Sequence, residues 1–349
     1  MYGLFSGLTT LDVAQLTAET VAENTKVTSL DQVIAAGGPA TNAAVTFSAL
    51  THAQARLIAR KQLATEVAVA GPGNPMATVL MTAVGDGLAA HLIADDIESH
   101  DIALIDCTDY TCESSPHNGD YSPAVSAIFV NSHTGARTLA STNARLPIQA
   151  DIATASLATM GKPQVVLIDG HNPQLGMEAV TLGTDTTDTD PFAAVENKPP
   201  YLRILDGGSW KPWLTPMLGF VDIAVLSADF VAPGATTVAE TVDFLRGFGI
   251  TRIIQTNGEK PTRWWWDDAA GSVTPPTVNA VCTLAAGDVF HGAFAWACAN
   301  DLLDRDSSDP VSVIDFANRV AALSTTRFGT RTWLNDEDAL DDILRHLYS

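Results

Sequence analysis

Basic residues are scarce in this chain: 19 Lys and Arg stand against 40 Asp and Glu, a formal net charge of −21 at pH 7 over 349 residues. A nucleic-acid binder needs a basic face to meet phosphates, so no nucleic-acid partner is expected. Anionic membrane surfaces are disfavoured on the same ground. An anionic small ligand is not, because a few local donors can overrule the global field. Cysteine is also sparse. Cys107, Cys112, Cys282 and Cys298 form no CxxC pair, so neither a zinc site nor a disulfide framework is expected, and reduced thiols in the cytoplasm are the plain reading. No apolar run approaches the roughly 18 residues of a membrane span. The opening MYGLFSGL has no basic stretch of the kind that begins a signal peptide.

Apolar residues make up 46% of the chain, enough for a large core. Short apolar, β-branched runs alternate with helix-period stretches. Strands are expected at Tyr2–Leu8, Thr78–Val84, Ile102–Ile105, Val165–Ile168, Arg203–Leu205, Ile223–Leu226 and Arg252–Gln255. Helices are expected at Pro39–Ala49, Leu88–Ser99, Val238–Phe248, Ala286–Asn300, Val313–Thr325 and Asp336–His346. This alternation spells βαβ units and a mostly parallel sheet in an α/β fold. Val13–Val33 and Pro123–Leu139 alternate with period two instead, with a turn at Ser132–Gly135. They read as antiparallel strands of a small separate sheet, a lid on one side of the main one. Leu182–Pro200 is Thr/Asp-rich and reads as a surface loop. Residues 52–75 look like an extra segment without an assignment.

Three places could carry chemistry. In Thr283-Leu-Ala-Ala-Gly-Asp-Val-Phe-His-Gly-Ala-Phe294, small residues precede Asp288 and an apolar helical run. Free N–H groups at a helix start point at an anion, and small residues let it approach. An ionised carboxylate beside such a site can take a proton from a hydroxyl. On spacing alone, Asp288 is equally a cap on a core helix. In Ala36-Gly-Gly-Pro-Ala-Thr-Asn-Ala-Ala44, Gly37 and Gly38 open backbone geometry and Pro39 suits a helix start. Asn42 there can hold a polyol by donor and acceptor, or simply bond its own backbone. Asp12 follows the end of the first strand, where open α/β sheets bind ligands; it can accept two sugar hydroxyls, or sit in a turn.

Together these residues resemble the PfkB/ribokinase-type carbohydrate kinases. Asp12 matches the family's substrate aspartate, and Gly37, Gly38 and Asn42 match its Gly-Gly-x-x-x-Asn signature. Thr283, Ala286, Gly287 and Asp288 match its C-terminal Asp-Thr-x-Gly-Ala-Gly-Asp. Ala83-Val-Gly-Asp86, Ser132-His-Thr-Gly-Ala-Arg-Thr138, Gln255-Thr-Asn-Gly258 and Phe316-Ala-Asn318 resemble further landmarks in the right order.

The resemblance implies a ribokinase-like domain over residues 1–349, with 9–36 and 120–145 as the lid, and transfer of phosphoryl from Mg-ATP to a sugar hydroxyl. Asp288 would be the base, and the N–H groups of Ala285, Ala286, Gly287 and Asp288 the anion hole. Asp12, Gly37, Gly38, Asn42 and the lid residue Arg137 would face the sugar. Ser227, Thr256, Asn257, Gly258 and Asn318 would line the nucleotide site, and a homodimer through the lid would follow the family habit. Two departures stand out. The motif's opening Asp, which helps hold a monovalent cation in many relatives, is Cys282, which puts potassium activation in doubt. The Mg²⁺-organising Asn-x-x-Glu appears as Ser227-Ala-Asp-Phe230, where either Asp229 replaces the Glu from one position earlier or the metal is held otherwise.

Leu205-Asp-Gly-Gly-Ser-Trp-Lys211 resembles the ketohexokinase-like branch. Its Gly-Gly turn could bring Lys211 to ATP phosphates, or Lys211 could be a surface lysine. Trp264-Trp265-Trp266 reads as an edge strand, His171 as a loop residue near the phosphate path, and His291 as a core-side residue. The segment 9–42 carries one basic residue, Lys26, which disfavours a phosphorylated sugar. A nucleoside kinase, with Phe5, Phe47 and Phe129 available for a base, and a silent ligand-binding regulator remain the alternatives.

Overall fold

The computed structural model describes residues 1–64, 75–112, 121–184 and 198–349. In chain order the strands are β1 (Tyr2–Ser6), β2 (Thr10–Thr17), β3 (Asp31–Gly37), β4 (Ala77–Thr82), β5 (Ile102–Asp106), β6 (Ala124–Asn131), β7 (Arg137–Ala140), β8 (Val165–Ile168), β9 (Leu202–Gly207), β10 (Ile223–Leu226), β11 (Arg252–Asn257), β12 (Lys260–Trp266) and β13 (Ala269–Val273). The helices are α1 (Pro39–Ala59), α2 (Gly87–Ser99), α3 (Ala150–Met160), α4 (Pro173–Thr181), α5 (Thr215–Leu218), α6 (Val238–Arg246), α7 (Ala286–Ala299), α8 (Val311–Thr325) and α9 (Glu337–Leu347).

The expected alternation produces a nine-stranded sheet in the order β13-β12-β11-β10-β9-β8-β1-β4-β5. The run from β11 to β5 is parallel. Its central strands are apolar on both faces because both are covered; all four residues of β8 (VVLI) are buried. One face carries α1, α2, α7, α8 and α9 around Phe5, Phe47, Phe290, Phe294 and Trp296. The other carries α3 to α6 around Leu4, Leu157, Leu175, Met217 and Leu245. From β1 the chain builds outward to β4 and β5, then returns to place β8 on the other side of β1. That reversal is a topological switch point, and the crevice beyond the carboxyl ends of β1 and β8 is where such sheets take ligands.

The two period-two segments form a four-stranded sheet, β3-β2-β6-β7. Its hairpins β2–β3 and β6–β7 are antiparallel as expected. The central pair β2–β6 is parallel instead, because each hairpin leaves the main sheet in the same direction and they join through their first strands. Ala14, Ile128 and Val130 pack this sheet on Cys282, Leu284 and Phe328.

Several sequence expectations are corrected. Helix α1 runs on to Ala59, so residues 52–59 of the supposed extra segment continue it, while 65–74 lie outside the described residues. Most of the Leu182–Pro200 loop, at 185–197, also lies outside them. Helices α3 and α4 were not expected; both are short, and α3 is rich in small and polar residues that blur its period. The tryptophan strand β12 is not the edge, since β13 pairs outside it. Trp266 is fully buried because that cover exists.

Two glycine positions bring the ligand-side elements together. Gly38 sits before α1 at φ 97°, and a Cβ there would lie 2.2 Å from the Leu8 carbonyl. A Cβ on Gly292 would lie 2.3 Å from the Ala43 carbonyl, so α7 meets α1 almost backbone to backbone. A methyl group there would cost ~1–3 kcal/mol in overpacking and push apart the first turns of both helices.

Candidate active site

The close α1–α7 contact puts Asn42 beside Asp288. Asn42 Nδ2 donates to Asp288 Oδ2 at 2.8 Å, although the two residues are 246 apart in sequence. Asp288 lies in the first turn of α7, where the N–H groups lack intrahelical acceptors. The turn before it is tight: Ala285 is left-handed at φ 61°, where the family motif has glycine. That conformation costs an alanine roughly 1 kcal/mol. Burial, together with the charge of Asp206, raises the Asp288 carboxyl to about 7, against the opposing pull of the Asn42 hydrogen bond, His291 and Arg137. A carboxylate tuned to neutrality suits a general base.

Asp12 lies nearby on β2, buried. Its Oδ1 accepts from Thr10 Oγ1 at 2.7 Å, and Ser126 of β6 also bonds it. Burial raises its pKa above the usual carboxylate range, opposed by these bonds and by Arg331. The Asp12 carboxyl fills the space that a Gly37 side chain would take, 2.1 Å from the ideal Cβ. Gly37 is therefore needed for Asp12 to be there.

Sequence reading missed Arg331, which joins these groups. Its Nη1 donates to Asn42 Oδ1 at 2.9 Å and to the Thr330 carbonyl at 3.3 Å. Nη2 donates to the Ala36 carbonyl at 2.5 Å and to Asp96 Oδ2 at 3.2 Å, and Nε reaches Asp96 at 3.3 Å. All five guanidinium N–H directions are thus committed to the protein. Asp96 also accepts from the Ala36 N–H at 3.0 Å. No local motif announces Arg331, because its partners lie on α1, α2 and β3.

Arg137, at the start of β7, donates to the Thr283 carbonyl at 3.3 Å. Thr283 Oγ1 in turn donates to the Gly135 carbonyl at 3.0 Å. The hairpin turn of the small sheet therefore rests on the loop that leads into α7.

Deeper at the sheet's carboxyl ends lies a second polar group, in which His171 and Lys211 were singled out from sequence and Asp169 and Asp206 were not. Asp169 follows β8 and accepts the N–H groups of Leu8 (2.8 Å), Ala40 (3.2 Å) and His171 (2.9 Å). It ties the end of β1 to the start of α1. Burial lowers the His171 pKa, with Asp169 opposing and Lys211 reinforcing. Lys211 is buried, not a surface lysine, with Nζ 3.4 Å from the Asp169 carbonyl. Asp206, on β9, is pushed to about 8 by burial and by Asp169, against Lys211.

The expected nucleotide residues divide. Ser227 Oγ donates to the Gly208 carbonyl at 2.6 Å, and Thr256 Oγ1 to the Leu226 carbonyl at 3.3 Å. Asn257 ends β11 and Gly258 opens the turn to β12, both exposed, and Asp229 is exposed after β10. Asn318 points inward instead: it is 5% exposed, and its Oδ1 accepts from Thr262 Oγ1 at 2.9 Å. Period on α8 put it on the face toward β12, which β13 then closes over. Phe5 and Phe47 are likewise removed from any open pocket, packed edge-on in the core at 5.2 Å. Among the described residues no cluster of three His, Cys, Asp or Glu side chains is placed to hold a metal, and no helix is long and apolar enough to cross a membrane.

Residues 203–337 match the profile of the pfkB family carbohydrate kinases. A stretch of 111 residues is 30% identical to fructokinase-2 of Oryza sativa subsp. japonica, spanning 32% of this chain and 33% of that protein. The match thus covers about a third of the curated relative's length. The fold as a whole is similar to that of the ribokinase from Giardia lamblia, with a TM-score of 0.70 at 14% identity over 98% of both chains. It is also similar to an Arabidopsis thaliana ribokinase solved with ribose and ATP, with a TM-score of 0.65 at 15% identity over 98% of both chains. At such identities these two likenesses speak for fold alone. The C-terminal part of the chain is thus similar to the pfkB family carbohydrate kinases, and the chain as a whole has the fold of the ribokinases.

Proposed function

We propose that this chain is an ATP-dependent kinase of a small, unphosphorylated sugar or polyol. The observation that carries the reading is the contact of Asn42 with Asp288 at the first turn of α7. It joins a carboxyl tuned to about 7 to an anion-accepting helix start on one side and to the Asp12 pocket on the other.

Asp12 and Asn42 hold the sugar by paired donors and acceptors, with Gly37 and Gly38 keeping the floor clear. Asp288 takes the proton of the attacking hydroxyl. The hydroxyl oxygen forms the new bond to phosphorus as the bond to the ADP oxygen breaks. The N–H groups at the start of α7, from Ala285 to Asp288, receive the charge on the transferred phosphoryl. Arg137 adds positive charge from the small sheet, which acts as a lid that keeps water out. Ser227, Thr256, Asn257, Gly258 and Lys211 serve the nucleotide, whereas the buried Asn318 carboxamide shapes that wall from behind.

Bound Mg²⁺ would neutralise charge on the ATP phosphates. The donor set allows it: Asp169 is committed to backbone N–H groups and Asp206 is sealed against His291, whereas Asp229 is exposed after β10. A hard oxygen there suits an ion held largely through water.

A phosphorylated sugar would need further cations in the pocket; Arg331 has no N–H left to give, and Arg137 already serves the transferred phosphoryl group. A nucleoside would need an aromatic wall. Phe5 and Phe47 are in the core, and Phe129 lies on the face of β6 opposite Ser126, away from Asp12. Exposed Ile34, Val125, Phe129 and Leu139 on the small sheet suit a homodimer through the lid.

The test is ADP release with Mg-ATP across ribose, fructose, 2-keto-3-deoxygluconate, tagatose, inositol and adenosine, beside a thermal-shift screen of the same compounds. Turnover on a sugar supports the kinase. Stabilisation by a sugar without turnover on any compound would replace it with a binding regulator.

A further inference from the structure

Two buried polar atoms near the Asp288 carboxyl lack an ordinary hydrogen-bond partner: Asp206 Oδ2 at the end of β9 and His291 Nδ1 on α7. They face each other at 3.4 Å, with each side chain 4% exposed. On the other edge of the ring, His291 Nε2 lies 3.2 Å from the Val225 carbonyl. A carbonyl only accepts, so Nε2 carries a hydrogen. Nδ1 is then either bare or protonated. If bare, it needs a donor, and only a protonated Asp206 carboxyl can be one. If protonated, it pairs with the Asp206 carboxylate. Either way a single proton lies between Oδ2 and Nδ1, and the two side chains together carry no net charge. The remaining state, an ionised Asp206 against a bare Nδ1, sets an unpaired charge in a dry interior beside a second carboxylate.

We propose that Asp206 and His291 form one proton-sharing unit that keeps the surroundings of Asp288 electrically neutral, and that release of this shared proton turns the enzyme off on the alkaline side. The inference rests on the reading of Asp288 as the base. The neighbours are consistent with it. Asp169 after β8 and Asp288 on α7 both favour keeping the proton on the unit, and Lys211 after β9 opposes them. The Gly287 carbonyl, one turn back on α7, also favours a protonated ring. Around Asp288 itself stand Asn42 from α1, Arg137 from β7 and Arg331 before α9. When the shared proton leaves to solvent, the unit becomes an anion. Asp288 then holds its own proton more tightly, and the phosphoryl oxygens arriving at the same helix start are repelled. These are positioning residues: neither touches the sugar or the phosphoryl group.

The experiment compares kcat against pH for the wild type and Asp206→Asn, together with ¹⁵N-histidine NMR of both. Asparagine keeps the shape, can donate to Nδ1, and has no proton to lose. We expect the wild type to fall on the alkaline side and the variant not to, so that their ratio grows roughly tenfold per pH unit beyond the wild-type limb. The acid limb, which belongs to Asp288, should persist in both. A variant that falls along the wild-type alkaline limb overturns the proposal. The NMR arm needs no turnover: His291 should carry hydrogen on Nε2 and report a proton release in the wild type that Asp206→Asn lacks. A neutral ring with hydrogen on Nδ1 alone overturns the proposal even if Asp206→Asn does not fold. Absence of turnover on every substrate would instead remove the base reading, and the NMR result would still decide the shared proton.

Discussion

Arg331 Nη1 donates to Asn42 Oδ1 at 2.9 Å, and this fixes which end of the Asn42 amide meets Asp288. A guanidinium has only donors, so it must take the amide oxygen and leave the NH₂ group for the carboxylate. Lysine cannot reproduce a five-bond fork. Arg331→Lys should therefore free the Asn42 amide to flip, lowering kcat roughly tenfold, the effect of a misplaced contact to the base. Asn42→Asp at the same contact would set two carboxylates face to face and drive the Asp288 pKa further up. An Arg331→Lys enzyme with wild-type kcat and sugar KM would show that Arg331 supports the fold only.

Replacement of the proposed base should give the largest kinetic effect. Asp288→Asn should bind Mg-ATP and sugar nearly as before but lose roughly 10²–10⁴-fold in kcat, the usual worth of a positioned base. In the wild type, kcat should rise with pH through about 7, since burial, the largest cause, pushes the Asp288 carboxyl up to there. A rise centred near the ordinary carboxylate range would mean that the group is solvated during turnover. Isothermal titration beside steady-state rates separates binding from chemistry.

Most of the alternating strands and helices and the small sheet were legible in the sequence because period is local, and local signature motifs singled out Asp12, Asn42 and Asp288. What joins them is not local. Arg331 reaches Asn42 from 289 positions away, and Asp206 meets His291 only because β9 ends beneath the first turns of α7. Lys211 was ambiguous for the same reason: a lysine after a Gly-Gly turn looks solvated until the Asp169 loop covers it. Helices α3 and α4 were invisible because short segments of mixed small and polar residues carry little periodic signal. Burial of Asn318 depended on β13, whose exposed Ala-Ala-Gly-Ser has no strand pattern.

Potassium should not stimulate turnover. Cys282 is 1% exposed and packs among Ala14, Ile128, Val130, Leu284 and Phe328. A soft thiol in an apolar cluster offers nothing to a hard monovalent cation. Rates measured in sodium, potassium and tetramethylammonium salts at equal ionic strength should agree within error. A severalfold increase specific to potassium would require another set of oxygens to hold it.

Stability should also vary with pH in a direction that the active site sets. Asp288 and Asp206 sit near 7 and 8 in the folded protein, above the roughly 3.9 of an aspartate in an unfolded chain. Between those values the folded state holds protons that the unfolded state has released. Stability therefore falls as pH rises from about 4 through 8, and their full cost is felt above 8. Asparagine at either position removes the cost. Asp288→Asn and Asp206→Asn should melt higher than wild type at pH 8.5, by roughly 2–5 °C, and with little or no advantage at pH 4.5, where both aspartates are protonated when folded. Melting curves across that range, with reversibility checked at each pH, test the sign directly. Variants that lose stability equally at both pH values would mean that the carboxyls are held ionised by partners in the fold, and the assignment of a neutral-range base would fall with them.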